Sequence, residues 1–262
     1  MKKPLVLLVI IGTALIGLIL GYPRVSEYIF KQQELKSFNG NGGAEITIQV
    51  DMTNISPNKR NMIFDKSRDI LFRRIRLLGF YPFIQDSSDY KIIVKLARVG
   101  DLDLLVNLIG TTAQLSFWEE GDKTGTSSSA QMATPSALPA SIDTLFHNPN
   151  KSNLSGGDLQ LASVAYDQNT GKSQVNLSFT SDGTAKFADI TKRNVGRIVA
   201  IVLDNQIIST PTVNEAILTG DAVITGDFTN EQAESLSIQL NAGALPTSIT
   251  VLEKHYVKAK NN

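Results

Sequence analysis

His147 and His255 are the only imidazoles in the 262-residue sequence, and it has no cysteine. A three-histidine or thiolate metal site therefore has no ligand set, and disulfides and cysteine nucleophiles are excluded. The two histidines lack the i, i+4 spacing of a zinc helix, and neither has a serine nucleophile elbow nearby. Gly40-Asn41-Gly42-Gly43 resembles a phosphate cradle only in composition. It precedes a strand, no Lys-Ser/Thr follows it, and it reads as a turn. Asp182, Asp204 and Asp221 all sit in turn contexts that explain an aspartate without catalysis. The expectation is a protein that is not an enzyme, with no catalytic residue, no metal and no cofactor. An anchored hydrolase using His147 has only that one side chain behind it.

Charge narrows the field further. Lys and Arg number 25 against 25 Asp and Glu, a formal net charge of +0. A nucleic-acid binder would carry a clustered basic excess, so no nucleic acid is expected as a partner. Lys59, Arg60, Lys66, Arg68, Arg73, Arg74 and Arg76 do crowd one helix, with Asp65 and Asp69 between them. They read as a solvated face laced with ion pairs, or as a contact with membrane lipid headgroups.

The elements that position these residues begin with an apolar run. Leu5 to Gly21 carries no charge, and at about 1.5 Å per residue it is nearly long enough for a hydrocarbon core of about 30 Å. A signal peptide is the rival, but its apolar core is usually shorter and no convincing cleavage site follows. Residues 1–23 are thus expected to be a transmembrane anchor in the cell (cytoplasmic) membrane, with Lys2 and Lys3 keeping the N-terminus cytoplasmic and the bulk of the chain outside. Thr13, Gly17 and Gly21 fall on one helix face, where small residues allow helix packing in the membrane. A helical stripe of Val25, Tyr28, Ile29, Gln32 and Leu35 makes residues 24–43 a stalk.

Beyond the stalk the pattern is α+β. Ala44 to Val50 alternates as a half-buried strand. Ser56-Pro57 starts a helix carrying Ile63, Ile70, Leu71, Ile75 and Leu78, closed by Gly79. Strands over Tyr81–Gln85 and Tyr90–Leu96, a helix over Asp101–Ile109 and a strand over Ala113–Trp118 follow. That order, β-α-β-β-α-β, is the ferredoxin-like pattern. Residues 119–157, rich in Ser, Thr, Gly and Pro, read as a flexible segment. A second α+β unit has strands over Leu159–Tyr166 and Gln174–Thr180, a helix capped by Ser181, a hairpin turning at Asp204-Asn205, and a helix with the capping box Thr229/Gln232. Pro246 introduces a last strand, Ser248 to Glu253, able to return to the first sheet. The expected layout is a ferredoxin-like base over 44–118 and 246–257, an inserted head over 119–245, and a tail over 258–262.

Several ordered segments resemble the SecD family of protein translocase subunits. They are Asn194-Val195-Gly196-Arg197-Ile198-Val199-Ala200-Ile201-Val202-Leu203-Asp204-Asn205 with Ile207-Ile208-Ser209-Thr210-Pro211, Gly220-Asp221-Ala222-Val223-Ile224-Thr225-Gly226, and Leu240-Asn241-Ala242-Gly243-Ala244-Leu245-Pro246. Asn41-Gly42-Gly43, Val50-Asp51, Leu78-Gly79 and Gly110-Thr111-Thr112-Ala113-Gln114-Leu115-Ser116-Phe117 fit the family in the same order. The family's Leu-Asp-Leu-Gln-Gly-Gly stands here as Phe38-Asn39-Gly40-Asn41-Gly42-Gly43, without the acidic residue.

The resemblance covers the family's first membrane helix and first extracytoplasmic domain. It implies a component of Sec export that engages exported unfolded polypeptides, with SecF and the SecYEG translocon as partners. Ile207, Ile208, Pro211 and Val213 are the candidate polypeptide contacts, although core packing explains them equally well. Glu119-Glu120-Gly121 and Ala244-Leu245-Pro246 are the candidate hinges. The sequence stops at Asn262, short of the membrane helices that would carry a proton path. Drive from the proton gradient would need those helices and SecF, whether the chain is a fragment, half of a split subunit or a reduced relative. The alternative is an autonomous anchored chaperone or binding domain.

Overall fold

The computed structural model describes residues 32–33, 35–121 and 141–259. The anchor with Thr13, Gly17 and Gly21, most of the stalk, and residues 122–140 lie outside the described residues. Within them, no helix is long and apolar enough to cross a membrane. The chain divides into two compact units, one of them Met1–Val50, Gly79–Leu105 and Thr250–Asn262, the other Asp51–Leu78 and Val106–Ile249.

The first unit is built on one four-stranded sheet. β1 (Gly42–Val50), β2 (Phe83–Ser87), β3 (Lys91–Ala97) and β11 (Ile249–Lys258) lie in the order β11-β1-β3-β2. The alternation read in β1 is the alternation observed, with Ala44, Ile46, Ile48 and Val50 buried. It pairs antiparallel with β3, Ile46 opposite Val94 and Ile48 opposite Ile92, so the buried faces of the two strands coincide. Gly42 and Gly43 are not a turn but the first residues of β1. A Cβ on Gly42 would strike the Val257 carbonyl, and one on Gly43 the Leu96 carbonyl. Two neighbouring strands come too close to the start of β1 for any side chain there. Residues 35–41 are helical before this strand and bury Phe38, with the Lys95 ammonium 5.7 Å from its ring centroid.

The second unit holds two sheets. β4 (Leu115–Glu120), β5 (Pro149–Ser155), β8 (Val199–Leu203) and β9 (Gln206–Ser209) form one in the order β5-β4-β8-β9, while β6 (Leu159–Tyr166), β7 (Ser173–Phe179) and β10 (Asp221–Phe228) form the other in the order β10-β7-β6. Helices α1 (Pro57–Leu77), α4 (Ser181–Arg193) and α5 (Asn230–Ala242) belong here. α2 (Leu102–Gly110) spans the boundary, and α3 (Ile142–Leu145) is a single turn before β5. The main core gathers Leu115, Phe117, Leu154, Val175, Leu177, Phe179, Phe187, Ile190, Ile201 and Leu236. At its centre the rings of Phe179 and Phe187 lie 5.0 Å apart, and those of Phe117 and Phe179 6.0 Å apart, within the range in which tilted aromatic rings attract.

Three expectations change. Leu115–Glu120 pairs with β5 and β8 instead of closing the first sheet. Alternation identifies a strand but not its partner, and β4 is buried along most of both faces. Residues 141–157 are not a flexible excursion, because β5 is laddered to β4 and buries Leu154 completely. A strand held mainly by main-chain bonds leaves little periodicity to read. The α4 N-cap is Thr180, whose hydroxyl accepts from the Gly183 amide at 3.2 Å, and not Ser181. The Thr229/Gln232 capping box forms as read, with bonds of 3.2 and 2.9 Å.

Candidate functional site

The densest polar construction in the second unit surrounds residues 109–114, the link between α2 and β4. Arg74 lies on the apolar stripe of α1 between Leu71 and Ile75 and is 0 % exposed. Its guanidinium donates to the carbonyls of Ile109 at 2.9 Å, Thr111, Thr112 at 3.4 Å and Gly243 at 3.1 Å. Burial pushes the Arg74 pKa down to about 10, the Asp204 carboxylate opposing the shift and Arg73 adding to it. Arg74 thus remains a cation at neutral pH. It does not belong to the solvated basic face, whereas Arg68 does sit 3.3 Å from Asp65 and 3.7 Å from Asp69.

From the β8–β9 turn, the Asp204 carboxylate accepts from the amides of Ala113 and Gln114, each at 2.8 Å, and from the Thr112 hydroxyl. Asp204 and Asn205 both have positive φ, 50° and 67°, the two-residue hairpin geometry that their types announce. The Leu245 amide donates to the Thr112 carbonyl at 2.8 Å. Three segments far apart in sequence, 110–117, 194–211 and 240–246, therefore meet at one loop.

The second polar centre is Glu119, 3 % exposed in β4. It accepts from Arg193 Nε at 2.9 Å and Nη2 at 2.6 Å, from the Asn194 amide group and from Asn150 at 3.4 Å. Burial pushes its pKa up, but Arg193 and Asn194 outweigh that and hold the carboxyl below its ordinary value.

The residues expected to act as hinges make hydrogen bonds within the second unit. Glu119 is paired on both edges of β4, to Asn150 and Val199. Glu120 accepts the His147 and Asn148 amides at 2.9 and 2.8 Å, and the Gly121 amide donates to the Asn148 carbonyl at 2.7 Å. On the other side Leu245 is fully buried beside Ala244 and Pro246. In the first segment Glu119, Glu120 and Gly121 carry these partners, and in the second the Leu245 amide donates to the Thr112 carbonyl.

The expected polypeptide contacts are largely packing residues. Ile207 and Val213 are each 8 % exposed, Val213 in the main core and Ile207 in a smaller cluster. Ile208 packs partly on the main core, and the half-buried Pro211 gives its carbonyl to the Val199 amide at 3.1 Å. Residue types did not reveal Arg74, Glu119 or Asn241 as organising groups. Arg74 could have been found from its place at i+3 from Leu71 on a buried stripe.

Asn241, from the end of α5, reaches the edge strand β6. Its Oδ1 accepts the Ala162 amide and its Nδ2 donates to the Ala162 carbonyl, both at 2.8 Å. The side chain occupies the place of a neighbouring strand's peptide group, a local block against further pairing.

Arg74 and Asp204 spend most of their hydrogen bonds on their own unit's main chain, and Glu119 on side chains of the same unit, which is the chemistry of a scaffold. Among the described residues, no group of three or more His, Cys, Asp or Glu is placed to hold a metal ion. Fold and site together define an α+β module whose buried charged groups hold its loops in place.

Comparison with known proteins gives its relatives. Residues 140–247 match the SecDF P1 head subdomain, and residues 64–122 match the N-terminal part of the P1 domain of protein translocase subunit SecDF. The chain belongs to the SecD family of protein translocase subunits. It is 33% identical over 201 residues to SecD of Rickettsia bellii, covering 75% of this chain and 39% of that one. It is 34% identical over 218 residues to SecD of Acidaminococcus fermentans, covering 82% and 45%. A solved structure described as a membrane component SecDF that enhances protein export is 30% identical, with TM-score 0.63, covering 80% of this chain and 98% of that one. SecDF in its super-membrane-facing form gives TM-score 0.68 at 27% identity, covering 88% and 34%. The chain thus spans 39% and 45% of the length of these two curated relatives.

Proposed function

We propose that this chain binds translocating, still unfolded polypeptide on the outer face of the membrane and assists its release, as a SecD-like part of Sec export. The observation behind this is the match of residues 140–247 to the SecDF P1 head subdomain, reinforced by near-complete coverage of a solved export-enhancing relative. The anchor over residues 1–23, with Thr13, Gly17 and Gly21 as its packing face, places the domain outside the membrane with its N-terminus in the cytoplasm. The strand order β11-β1-β3-β2 supports a ferredoxin-like base in which β11 is the fourth strand. SecF and SecYEG are the partners of this reading, and proton-driven work would need SecF and membrane helices that carry a proton path. Headgroup contact by the basic face of α1, excluding Arg74, goes with it.

Affinity purification from cells carrying an arrested export substrate tests the reading. Recovery of the substrate together with SecF and SecYEG is expected. Recovery of the substrate without either translocase component would favour an autonomous anchored chaperone. Recovery of none of them would refute the proposal.

A further inference from the structure

The β5-β4-β8-β9 sheet has two apolar faces, and only one belongs to the main core. Leu115, Phe117, Val199 and Ile201 point into that core. The alternate residues Ala200 and Val202, with Ile207 opposite Val202 on β9, form a separate apolar cluster with Trp118 and Ile198 at its margin. What covers this second face is the segment Ser141–Asn148. Ile142, Leu145 and Phe146 pack on it, and Phe146 is 6 % exposed.

The cover is held in a particular way. Among the described residues, its main-chain bonds up to Phe146 are internal, from Thr144 and Leu145 to the Ser141 carbonyl and from Phe146 to the Ile142 carbonyl. Its side-chain cap, Ser141 with Thr144, is also internal. No ladder pairing among the described residues joins it to the sheet until β5 begins at Pro149. Among the described residues it is also fastened at its exit, where Glu120 accepts the His147 and Asn148 amides and the Gly121 amide meets the Asn148 carbonyl. One helical turn is too short to be stable alone, so the segment is shaped by the face on which it lies.

The geometry points to a strap that occupies a polypeptide-binding face of the head. When it lifts, the face of Ala200, Val202 and Ile207 takes a segment of exported chain presenting two aliphatic residues and an aromatic one at positions i, i+3 and i+4. The strap's own Ile142, Leu145 and Phe146 state that chemistry. This rests on the proposed function and gives it a location. The closed strap lowers the apparent affinity for exported chains by the fraction of time the face is open, so release follows when the strap returns.

The test uses the 262-residue chain, its Phe146→Ala variant and its Glu120→Gln variant. The second loosens the exit clamp without emptying the apolar cluster, and both are checked for parental circular dichroism. The probes are a fluorescent peptide of sequence Ser141–Asn148 and a carboxymethylated, permanently unfolded protein. Each variant should bind both probes about fivefold more tightly than the parent. A benzophenone in place of the peptide's phenylalanine should cross-link within Ile198–Ile207 or to Trp118. Unchanged peptide affinity in both folded variants, or cross-links elsewhere, overturns the strap. If the parent still binds the unfolded protein in that case, the proposed function stands without it. Failure of all three proteins to bind either probe overturns both.

Discussion

Arg74 and Asp204 grip the same loop with opposite charges. The guanidinium collects the carbonyls of Ile109, Thr111 and Thr112, while the carboxylate collects the amides of Ala113 and Gln114 and the Thr112 hydroxyl. Ala113 lies between them with φ at 55°, a conformation unfavourable for alanine unless its surroundings impose it. The loop is therefore specified by what binds it more than by its own preferences.

Asp204→Asn separates charge from turn geometry, because asparagine tolerates positive φ equally well. It weakens a charge-assisted set of three accepted bonds and should cost about 2 kcal/mol of stability. Urea unfolding measures it, and a loss under about 0.5 kcal/mol would show that Arg74 holds the loop by itself.

Glu119 makes stability sensitive to acid. Its folded pKa is depressed below the ordinary 4.5, so its contribution is fully present above that value and is lost as pH falls through the folded pKa. Asp158 behaves the same way. Burial raises its pKa, but Lys186 at 2.6 Å and the Ser155 amide bring it below 3.8. Glu119→Gln should lose about 2–3 kcal/mol at neutral pH, since Arg193 keeps partial solvent contact, and should flatten the stability curve below about pH 4.5. An acid limb as steep as the parent's would place the proton uptake elsewhere.

Gly220 has φ of 78°, and a Cβ there would run into the Thr184 hydroxyl. Gly220→Ala should therefore cost about 2–3 kcal/mol. Adding Thr184→Ala should return part of this, leaving the backbone strain. Thermal melts of the two variants give the comparison, and a double variant no better than the single would assign the whole cost to φ.

Asn241→Ala should open the β6 edge locally. Hydrogen exchange at the Ala162 amide should accelerate at least tenfold, with a global loss of about 1–2 kcal/mol. Protection unchanged at Ala162 would mean that water serves that edge as well as the side chain does.

What the sequence made legible was local. Ile46, Ile48 and Val50 displayed β1, Thr229 and Gln232 displayed the start of α5, and Asp204-Asn205 displayed a hairpin. Each signal is completed within a few residues. The strand partner of Leu115–Glu120, the burial of Arg74 and the strand over Pro149–Ser155 depend on segments remote in sequence. β10 was hidden differently. Asp221 looked like a turn residue, yet it opens a strand and accepts from the Ser178 hydroxyl at 2.9 Å. The partners of the expected hinge segments were hidden for a related reason, since the main-chain groups of Gly121 and Leu245 meet residues remote in sequence.

The place of β11 beside β1 has a consequence for how the molecule is made. The two strands are neighbours in the sheet although roughly 200 residues separate them in the chain, so closing that pair carries a large loop-entropy cost. As the chain emerges from its N-terminal end, β1 waits with one side unmated until the intervening stretch up to β11 has been synthesised. Such a waiting strand invites wrong pairing, and Gly42, where a Cβ would strike the Val257 carbonyl, leaves the space that the close approach of β11 needs.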